Sequence, residues 1–474
     1  MTAKIKTIRS SWWEGYGYRL DCQPYLAGAL EIKIILEKLR HRKDRLCELT
    51  RCHDGGIYNG PQFIRRYVES PEYGVPFITG SSMQLSELSH LPLLSKKDAY
   101  SPKLRFLELK KDMSLISCSG TIGKMAYVRS EMESMWSSQD VLKVVPDPDK
   151  IPPGYLYAFL SSKFGIPLIA SGTYGAIIQH LEPEHIADIP VPRLDSKIEW
   201  EIHDLVEKAA ELRTKASAQI KDIQRNILKY FGNPPTFPVG QRHPRWCGQR
   251  VASSKIFEVG RLDSLFFNPV AIDIEKWIEE HRAGYWQLSE VADVFDVALF
   301  KHIYVDPDFG VGFFTSADIF LVDKKPDKFL SRSETKGLNK YILEKGWILL
   351  ARPGSLGGNI ATPQFADSAM VGMATSDHVI RIAPKSKSCL PGYLYAYLDL
   401  HEIGYPLILR TAAGAYVPAL WPLYLNSLKV LKPSKELHEK SDQAVQSAFE
   451  MRVEATKIED LARSRIGEAI GGDT

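Results

Sequence analysis

The chain has 474 residues, and at about 150 residues per domain this length allows two to four domains. Hydrophobic residues make up 44% of it, enough for sizeable cores, and no run of about 18 apolar residues predicts a transmembrane helix. The 60 basic and 57 acidic residues leave a net charge of +3, which excludes a histone-like polycation and permits a local basic face. Residues 1–14 lack an apolar signal core and the six cysteines lack framework spacing, so we expect a cytoplasmic protein with reduced thiols.

The most informative pattern is a long internal duplication. Pro-Gly-Tyr-Leu-Tyr-Ala occurs at residues 153–158 and again at residues 391–396. Three other segments return in the same order: Arg-Leu-Asp at 19–21 and 261–263, Tyr-Val at 67–68 and 304–305, and Gly-Thr/Ser-x-Gly at 120–123 and 354–357. A repeat of this length is far longer than a solenoid unit, so it predicts two domains of one fold and two similar binding events.

Each copy begins with a segment of mixed character. Short β-like runs at residues 114–117, 141–145 and 347–351 are separated by glycine and proline, and short helices are predicted at 155–162 and 393–399. We therefore expect one mixed domain over residues 1–195 and a second over residues 251–433.

Each copy ends in a long predicted helix, over residues 196–232 and 434–474. Apolar or small residues recur at coiled-coil spacing, at Ile198, Ile202, Leu205, Ala209, Leu212, Ala216, Ile223 and Ile227 in the first helix and at Leu437, Ala444, Ala448, Met451, Ala455, Ile458 and Ala462 in the second. Each would span about 50 Å at 1.5 Å per residue. Glycine and two prolines end the first helix, and residues 233–250 form a linker. The predicted fold class is α+β, with two repeated mixed α/β domains, each followed by a long helix, and the two helices paired as an antiparallel coiled coil that separates the domains.

Several motifs suggest chemistry without completing it. Cys47, Cys52 and His53 lack metal-ligand spacing, and the Asn-Pro-Pro-Thr run at 233–236 has no aromatic residue to stack on a base. The Gly-Thr-Ile-Gly-Lys run at 120–124 has two residues between its glycines where a phosphate-binding loop needs four. No catalytic triad or paired-carboxylate set is recognisable in the sequence, and the histidines do not form an HExxH motif. Asp21 and Asp263, in the repeated Arg-Leu-Asp, are better interpreted as parts of a structural salt bridge or turn than as catalytic residues.

The repeated loops instead suit DNA contacts. A basic pair precedes each Tyr-Val segment, and small hydroxyls and basic residues surround each glycine loop, groups that contact phosphates and base edges. The alternative is that the glycines shape turns and the basic residues are merely solvated. The candidate DNA-binding residues are Arg65, Arg66, Tyr67, Ser119, Thr121, Lys124, Tyr174, Gln179, Lys301, His302, Arg352, Ser355 and Tyr416.

Together these features resemble the specificity subunit of Type I restriction-modification enzymes. The resemblance rests on the paired Arg-Leu-Asp segments, the Ser-Gly-Thr-Ile-Gly-Lys loop at 119–124, and the close of the first domain, Ser-Gly-Thr-Tyr-Gly at 171–175 and Ile-Pro-Val-Pro at 189–192, before a long helix. The second copy departs from this pattern, because residues 411–420 lose the Ser-Gly-Thr and residues 428–433 lose the doubled proline. Roles therefore do not carry over from the first closing loop to the second.

The resemblance implies a non-catalytic reader of double-stranded DNA. Its target-recognition domains, 1–195 and 251–433, would each grip one half of a bipartite site, with the helices setting the gap. Two adenine-methyltransferase subunits and motor-nuclease subunits would be its partners. S-adenosylmethionine, Mg²⁺ and ATP would be bound by those partners, with no cofactor or metal in this chain and no contact with a membrane. Two alternatives remain: a scaffold protein of a related defence complex that does not bind DNA, and a stand-alone DNA-modifying enzyme.

Overall fold

The computed structural model describes residues 7–10, 23–120, 122–173, 180–235, 250–385, 389–414 and 416–471. The chain divides into two compact units. Unit 1 comprises residues 1–214 and 454–474, and unit 2 comprises residues 215–453. Each unit therefore contains one mixed domain and part of both long helices.

Unit 1 contains three sheets among its described residues. A four-stranded antiparallel sheet has the order β2-β9-β6-β7, a second sheet has the order β3-β5-β4-β8 with β4 and β8 parallel, and β1 pairs with β10. The strands are β1 Lys43–Arg45, β2 Ile57–Tyr58, β3 Tyr67–Val68, β4 Gly74–Ile78, β5 Leu93–Ser95, β6 Ser114–Ser117, β7 Met125–Tyr127, β8 Trp136–Ser137, β9 Val141–Val144 and β10 Pro190–Pro192.

Unit 2 repeats this plan. Its four-stranded antiparallel sheet has the order β12-β18-β15-β16, its second sheet has the order β14-β13-β17 with β13 and β17 parallel, and β11 pairs with β19. The strands are β11 Tyr285–Gln287, β12 Ala292–Phe295, β13 Gly310–Phe314, β14 Lys328–Ser331, β15 Ile348–Ala351, β16 Gln364–Phe365, β17 Ala374–Thr375, β18 Val379–Pro384 and β19 Lys429–Leu431.

The two units also agree in register. In unit 1, Leu94 lies opposite both Tyr67 and Val75, and in unit 2 Leu330 lies opposite both Tyr304 and Val311. Strand order, strand direction and residue pairing thus all repeat. The internal duplication seen in the sequence is a duplication of fold.

The helices complete both units. The α-helices are α1 Gln23–Leu26, α2 Ala29–Lys38, α3 Lys96–Ala99, α4 Pro153–Leu160, α5 Gly165–Ser171, α6 Pro183–Ile186, α7 Ser196–Phe231, α8 Ser253–Val259, α9 Pro269–Glu280, α10 Leu288–Val291, α11 Pro391–Leu398, α12 Gly404–Leu409, α13 Pro422–Leu425 and α14 Lys435–Gly471. The predicted short helices at 155–162 and 393–399 correspond to α4 and α11, which begin two residues earlier because proline suits the first helical position.

The duplicated Pro-Gly-Tyr-Leu-Tyr-Ala segment is the point where each domain joins its long helix. The Gly154 N–H donates to His203 Nδ1 at 3.0 Å, and the Gly392 N–H donates to Asp442 Oδ1 at 2.8 Å. A Cβ at Gly154 would lie 3.0 Å from the His203 Cα, so only glycine permits this approach without displacement. The repeated sequence thus reflects a repeated packing requirement.

The following tyrosines fasten the same helices to the closing strands. Tyr155 Oη donates to the Pro192 carbonyl at 2.5 Å, and Tyr393 Oη donates to the Leu431 carbonyl at 2.7 Å. Both tyrosines are fully buried, so each hydroxyl needs the partner that the closing strand supplies.

Both long helices begin at identifiable N-caps, and the first one ends at a glycine. The Asp195 side chain accepts from the Lys197 N–H at 2.9 Å, and Ser434 Oγ accepts from the Leu437 N–H at 3.3 Å, as helix N-caps do. Gly232 ends α7 with a φ of 87°, a conformation that glycine adopts freely. Gly232, where the sequence places the stop, directly follows the last residue of the first helix, and Ser434 caps the second helix from the position before its first residue.

The long helices contact each other within each unit, and there the two helices run in opposite directions. In unit 1, Arg213 pairs with Glu459 while Glu201 faces Arg465, and in unit 2, Ser217 faces Arg452 while Gln219 donates to the Ala444 carbonyl. The predicted apolar seam omits several buried positions, namely Val206, Ala210 and Ile220 in α7 and Val445, Phe449, Ile466 and Ile470 in α14. These residues face the domain cores, which a two-helix pattern alone does not anticipate.

Candidate nucleic-acid interface

Three segments that are distant in sequence meet beside the four-stranded sheet of unit 1. The Cys118 N–H donates to the Asp140 carbonyl at 3.1 Å, and the Leu181 N–H donates to the Cys118 carbonyl at 3.0 Å. Ser119 and His180 also form a β-bridge. The glycine loop after β6 therefore lies between the segment before β9 and the closing loop of the domain.

Unit 2 repeats this junction. The Arg352 N–H donates to the His378 carbonyl, and the Leu420 N–H donates to the Arg352 carbonyl, both at 2.8 Å. The Gly354 N–H also donates to the Pro418 carbonyl at 3.1 Å. The closing loops keep the same position although their sequences differ, so each unit has the same scaffold with different loop residues.

The glycine loops adopt backbone conformations that require glycine. Gly120 has a φ of 75°, and Gly123 and Gly357 each have a φ of 84°, in the left-handed region that most L-residues avoid. Ser119 is half-buried, whereas Ser355 is exposed. Thr121 lies outside the described residues.

The basic residues before the Tyr-Val segments align differently from the sequence interpretation. Because Tyr67 matches Tyr304, Arg65 corresponds to His302, and Lys301 lies one position earlier. Packing agrees, since the Arg65 guanidinium lies 5.5 Å from the Phe77 ring centroid and the His302 ring lies 4.9 Å from that of Phe313. The two basic pairs are therefore not equivalent pairs; the shared feature is one cationic or imidazole side chain over a strand phenylalanine.

All three predicted arginines are held by carboxylates. Arg65 pairs with Asp140 at 3.1 Å and also donates to Gln139, Arg66 pairs with Asp98 at 3.0 Å, and Arg352 pairs with Asp296 at 3.0 Å. These ion pairs fix the side chains in place and reduce the positive charge available for DNA phosphates.

Two predicted lysines differ from these arginines. Lys124 and Lys301 are exposed, and neither has an ion-pair partner among the described residues. An unpaired surface ammonium keeps its full positive charge available for a phosphate contact.

His302 lies between a carboxylate and a tyrosine hydroxyl. Its Nε2 lies 3.7 Å from Asp377 Oδ1, and Tyr304 Oη lies 3.4 Å from its Nδ1. Burial lowers the pKa of His302 and outweighs the opposing effect of Asp377, so the ring is neutral at neutral pH. A neutral ring with its proton on Nε2 accepts from the Tyr304 hydroxyl at Nδ1.

Exposed aromatic rings accompany the loops. Tyr67 is 49% exposed, its counterpart Tyr304 is 47% exposed, and Tyr416 at the closing loop of unit 2 is 98% exposed. Tyr174 and Gln179, in the closing loop of unit 1, lie outside the described residues. Tyr304 is missing from the sequence-based set, although its alignment with Tyr67 would have found it.

Each four-stranded sheet buries one cation at the same position. Lys143 in β9 and Arg381 in β18 are both fully buried, and each donates to the carbonyl two residues before it, Val141 at 2.9 Å and Val379 at 2.6 Å. Burial lowers the pKa of Lys143 to about 7 and that of Arg381 to about 10. Each of these basic side chains therefore bonds to the first residue of its own strand, from the buried side of the sheet.

The Arg-Leu-Asp segment of unit 2 is structural, as the sequence suggested. The buried Arg261 pairs with Asp263 at 2.7 Å and donates to the Thr411 and Ala412 carbonyls before the closing loop. Asp21 lies outside the described residues. Within the described parts of the chain, no group of three His, Cys, Asp or Glu side chains could hold a metal ion, and no helix is long and apolar enough to cross a membrane.

Comparison with solved structures finds neighbours that cover 91% of this chain. The Type I restriction-modification S subunit from M. genitalium matches over 96% of its own length, at 12% identity and a TM-score of 0.36. The HsdS subunit from Thermoanaerobacter tengcongensis matches over 97%, at 15% identity and a TM-score of 0.27. A chain from a study of assembly and conformational transition of the type I R-M system matches over 98%, at 14% identity and a TM-score of 0.28.

No protein-family model matches the sequence, and no curated protein matches it. Because the TM-scores are below 0.5, no residue role is transferred from these structures. The solved structures that this chain resembles over nine-tenths of its length are S subunits of Type I restriction-modification systems.

Proposed function

We propose that this chain is the DNA-binding specificity subunit of a Type I restriction-modification system. It reads a bipartite target and directs methyltransferase and nuclease subunits to it. The observation that carries the proposal is the repeated junction: Cys118 and Arg352 make the same two backbone hydrogen bonds in their units, while the loops around them differ in sequence. Two equal scaffolds with unequal loops suit two half-sites of different sequence.

The exposed groups at each junction divide between two kinds of DNA contact. Lys124 and Lys301 contact phosphates, which gives affinity without sequence information. The loop side chains contact base edges in the major groove, where each base pair presents a distinct pattern of donors and acceptors. Two domains of one chain on one duplex also bind more tightly than either alone, because the second contact is intramolecular.

The chain performs no chemistry in this proposal. Two adenine-methyltransferase subunits supply S-adenosylmethionine and methyl transfer, and motor-nuclease subunits supply ATP, Mg²⁺ and cleavage. The long helices α7 and α14, which carry exposed Trp200, Tyr230 and Leu461, provide the docking surface.

Methylome sequencing of a host with and without the gene tests the proposal. We expect one bipartite adenine-methylated motif that disappears on deletion and returns on complementation. An unchanged methylome in a host that expresses the partner subunits would contradict it. DNA binding that is absent even at low salt with all partners present would instead indicate a scaffold protein.

A further inference from the structure

The segments immediately before β9 and β18 share a backbone arrangement in the two units and differ in side-chain chemistry. We call residues 139–140 and 377–378 the reading corners. Three backbone hydrogen bonds, each from an N–H to a carbonyl, fix each corner in the same way. In unit 1 they run from Ser138 to Ile78, from Val141 to Ser138 and from Cys118 to Asp140. In unit 2 the equivalent bonds run from Ser376 to Phe314, from Val379 to Ser376 and from Arg352 to His378. The corner is Gln-Asp in unit 1 and Asp-His in unit 2.

In unit 1 the Arg65 guanidinium donates to both corner residues and both are half-buried, whereas in unit 2 the first corner residue is buried and the second faces solvent. Gln139 accepts from Arg65 at 3.0 Å, and Asp377 is buried beside His302. The side chain of Asp140 is 39% exposed and that of His378 is 58% exposed. Asp140 and His378 lie directly against the glycine loops, because their carbonyls accept from the N–H groups of Cys118 and Arg352.

The corner of unit 2 contains polar atoms that lack partners. Asp377 Oδ1 and His302 Nε2 are buried and make no hydrogen bond among the described residues. The two are 3.7 Å apart, and Asp377 Oδ2 lies 3.7 Å from His378 Nδ1. An unsatisfied buried carboxylate costs free energy and is common where function constrains the site, so the arrangement of Asp377 between two imidazoles calls for a reason beyond packing.

The corner of unit 2 is supported from beneath by a buried arginine, which favours a recognition role for its exposed residue. The Arg381 guanidinium donates to the Thr375 and Ser376 carbonyls, at 3.0 and 3.3 Å, from the buried side of the corner. Base discrimination requires donors and acceptors that are held in position before binding.

We propose, on the basis of the specificity-subunit function above, that Asp140 and His378 are equivalent base-reading residues, one for each half of the DNA target. Asp140, held by Arg65, presents carboxylate oxygens that accept from the exocyclic amine of cytosine or adenine. Asp377 is a positioning residue: its charge favours the tautomer of His378 with the proton on Nδ1, which leaves Nε2 as an acceptor for the same kind of amine. In each corner the first residue, Gln139 or Asp377, thus helps to position the second. The second residue, Asp140 or His378, contacts the base.

Methylome sequencing of hosts carrying Asp140→Ala or His378→Ala tests this, with each variant as the control for the other. We expect Asp140→Ala to relax one position of one half-site, His378→Ala to relax one position of the other, and the opposite half to stay unchanged in each case. Asp377→Asn removes the charge that sets the tautomer of His378, so it should weaken base discrimination in the same half-site as His378→Ala. It should leave the other half-site unchanged.

The outcomes separate this inference from the proposed function. If the wild-type motif exists and both variants leave it unaltered, or if either variant alters both halves, the base-reading role is wrong while the specificity function stands. If an alanine variant abolishes all methylation, Asp140→Leu and His378→Leu decide between the two possibilities, because leucine lacks an acceptor; a folded leucine variant with an unaltered motif also contradicts the inference. A wild-type gene without any dependent motif contradicts the proposed function itself.

Discussion

The Tyr157 hydroxyl donates to Glu459 Oε1 at 2.6 Å, which joins the duplicated helix α4 to the C-terminal helix α14 within unit 1. Glu459 is buried and also pairs with Arg213 and Arg463. Burial by itself raises the pKa of Glu459, but the two guanidinium charges outweigh it and lower the pKa to about 2. Glu459, in the C-terminal helix, therefore packs into unit 1 and forms part of its buried ion-pair cluster.

Glu459→Ala should destabilise unit 1 by about 3–5 kcal/mol, because it leaves the largely buried Arg213 without a counter-charge and leaves Arg463 with Asp460 alone. Chemical denaturation of the full chain measures the loss. Glu468→Ala is the matched control: its pair with Arg465 is exposed, at 3.0 Å, and its removal should change stability by less than about 1 kcal/mol. Equal effects of the two variants would refute the structural role of the buried cluster.

Gly154→Ala and Gly392→Ala should each destabilise the chain by about 1–3 kcal/mol through overpacking. An added Cβ would lie 3.0 Å from the His203 Cα and 2.6 Å from the Asp442 Cα, both on a rigid helix. Thermal denaturation of the full chain provides the comparison. Gly471→Ala is the control, because a Cβ there meets nothing within 4 Å; a loss as large as that of Gly154→Ala would show that close approach is not the cause.

Lys143 should make stability depend on pH. Its pKa is about 7 in the folded chain and about 10.4 in an unfolded one, so between these values the unfolded state binds more protons and stability rises with pH. Relative to Lys143→Met, the wild-type free energy of unfolding should increase by about 1.4 kcal/mol per pH unit from pH 7 to pH 9. Urea denaturation at several pH values measures this slope.

The exposed Lys97→Met is the control for the Lys143 experiment, and its difference from wild type should not vary in this pH range. A constant difference between wild type and Lys143→Met would mean that Lys143 stays charged in the fold.

Lys124→Ala and Lys301→Ala should weaken DNA binding to all sequences alike. Each lysine that neutralises one phosphate adds about one unit to the slope of log affinity against log salt, so each variant should reduce the slope by about one. Fluorescence anisotropy of the assembled complex, over a series of salt concentrations, measures the slope. Lys276→Ala, an equal charge change on α9 beside Glu280, should leave it unaltered, and a reduced slope there would indicate a general charge effect.

The candidate site was only partly visible in the sequence because its decisive contacts join distant residues. Arg65 pairs with Asp140, which lies 75 positions away in the sequence. No pattern of neighbouring residues could show that this carboxylate offsets the charge of Arg65. The basic pairs were misaligned for the same reason. Only the strand partners Leu94 and Leu330 show that Tyr67 and Tyr304 are equivalent, and this equivalence sets the alignment of the basic residues before them.

The sequence by itself determined the duplication, the extent of α7 and α14 to within a few residues, and the resemblance to specificity subunits. These depend on order, periodicity and local stop signals such as Gly232, which are properties of neighbouring residues. Tertiary structure alone decided which cations are paired, which are buried in the sheets at Lys143 and Arg381, and which residues form the reading corners. Burial and ion pairing depend on what lies across a sheet or a loop junction, and that is set only when the whole domain closes around its core.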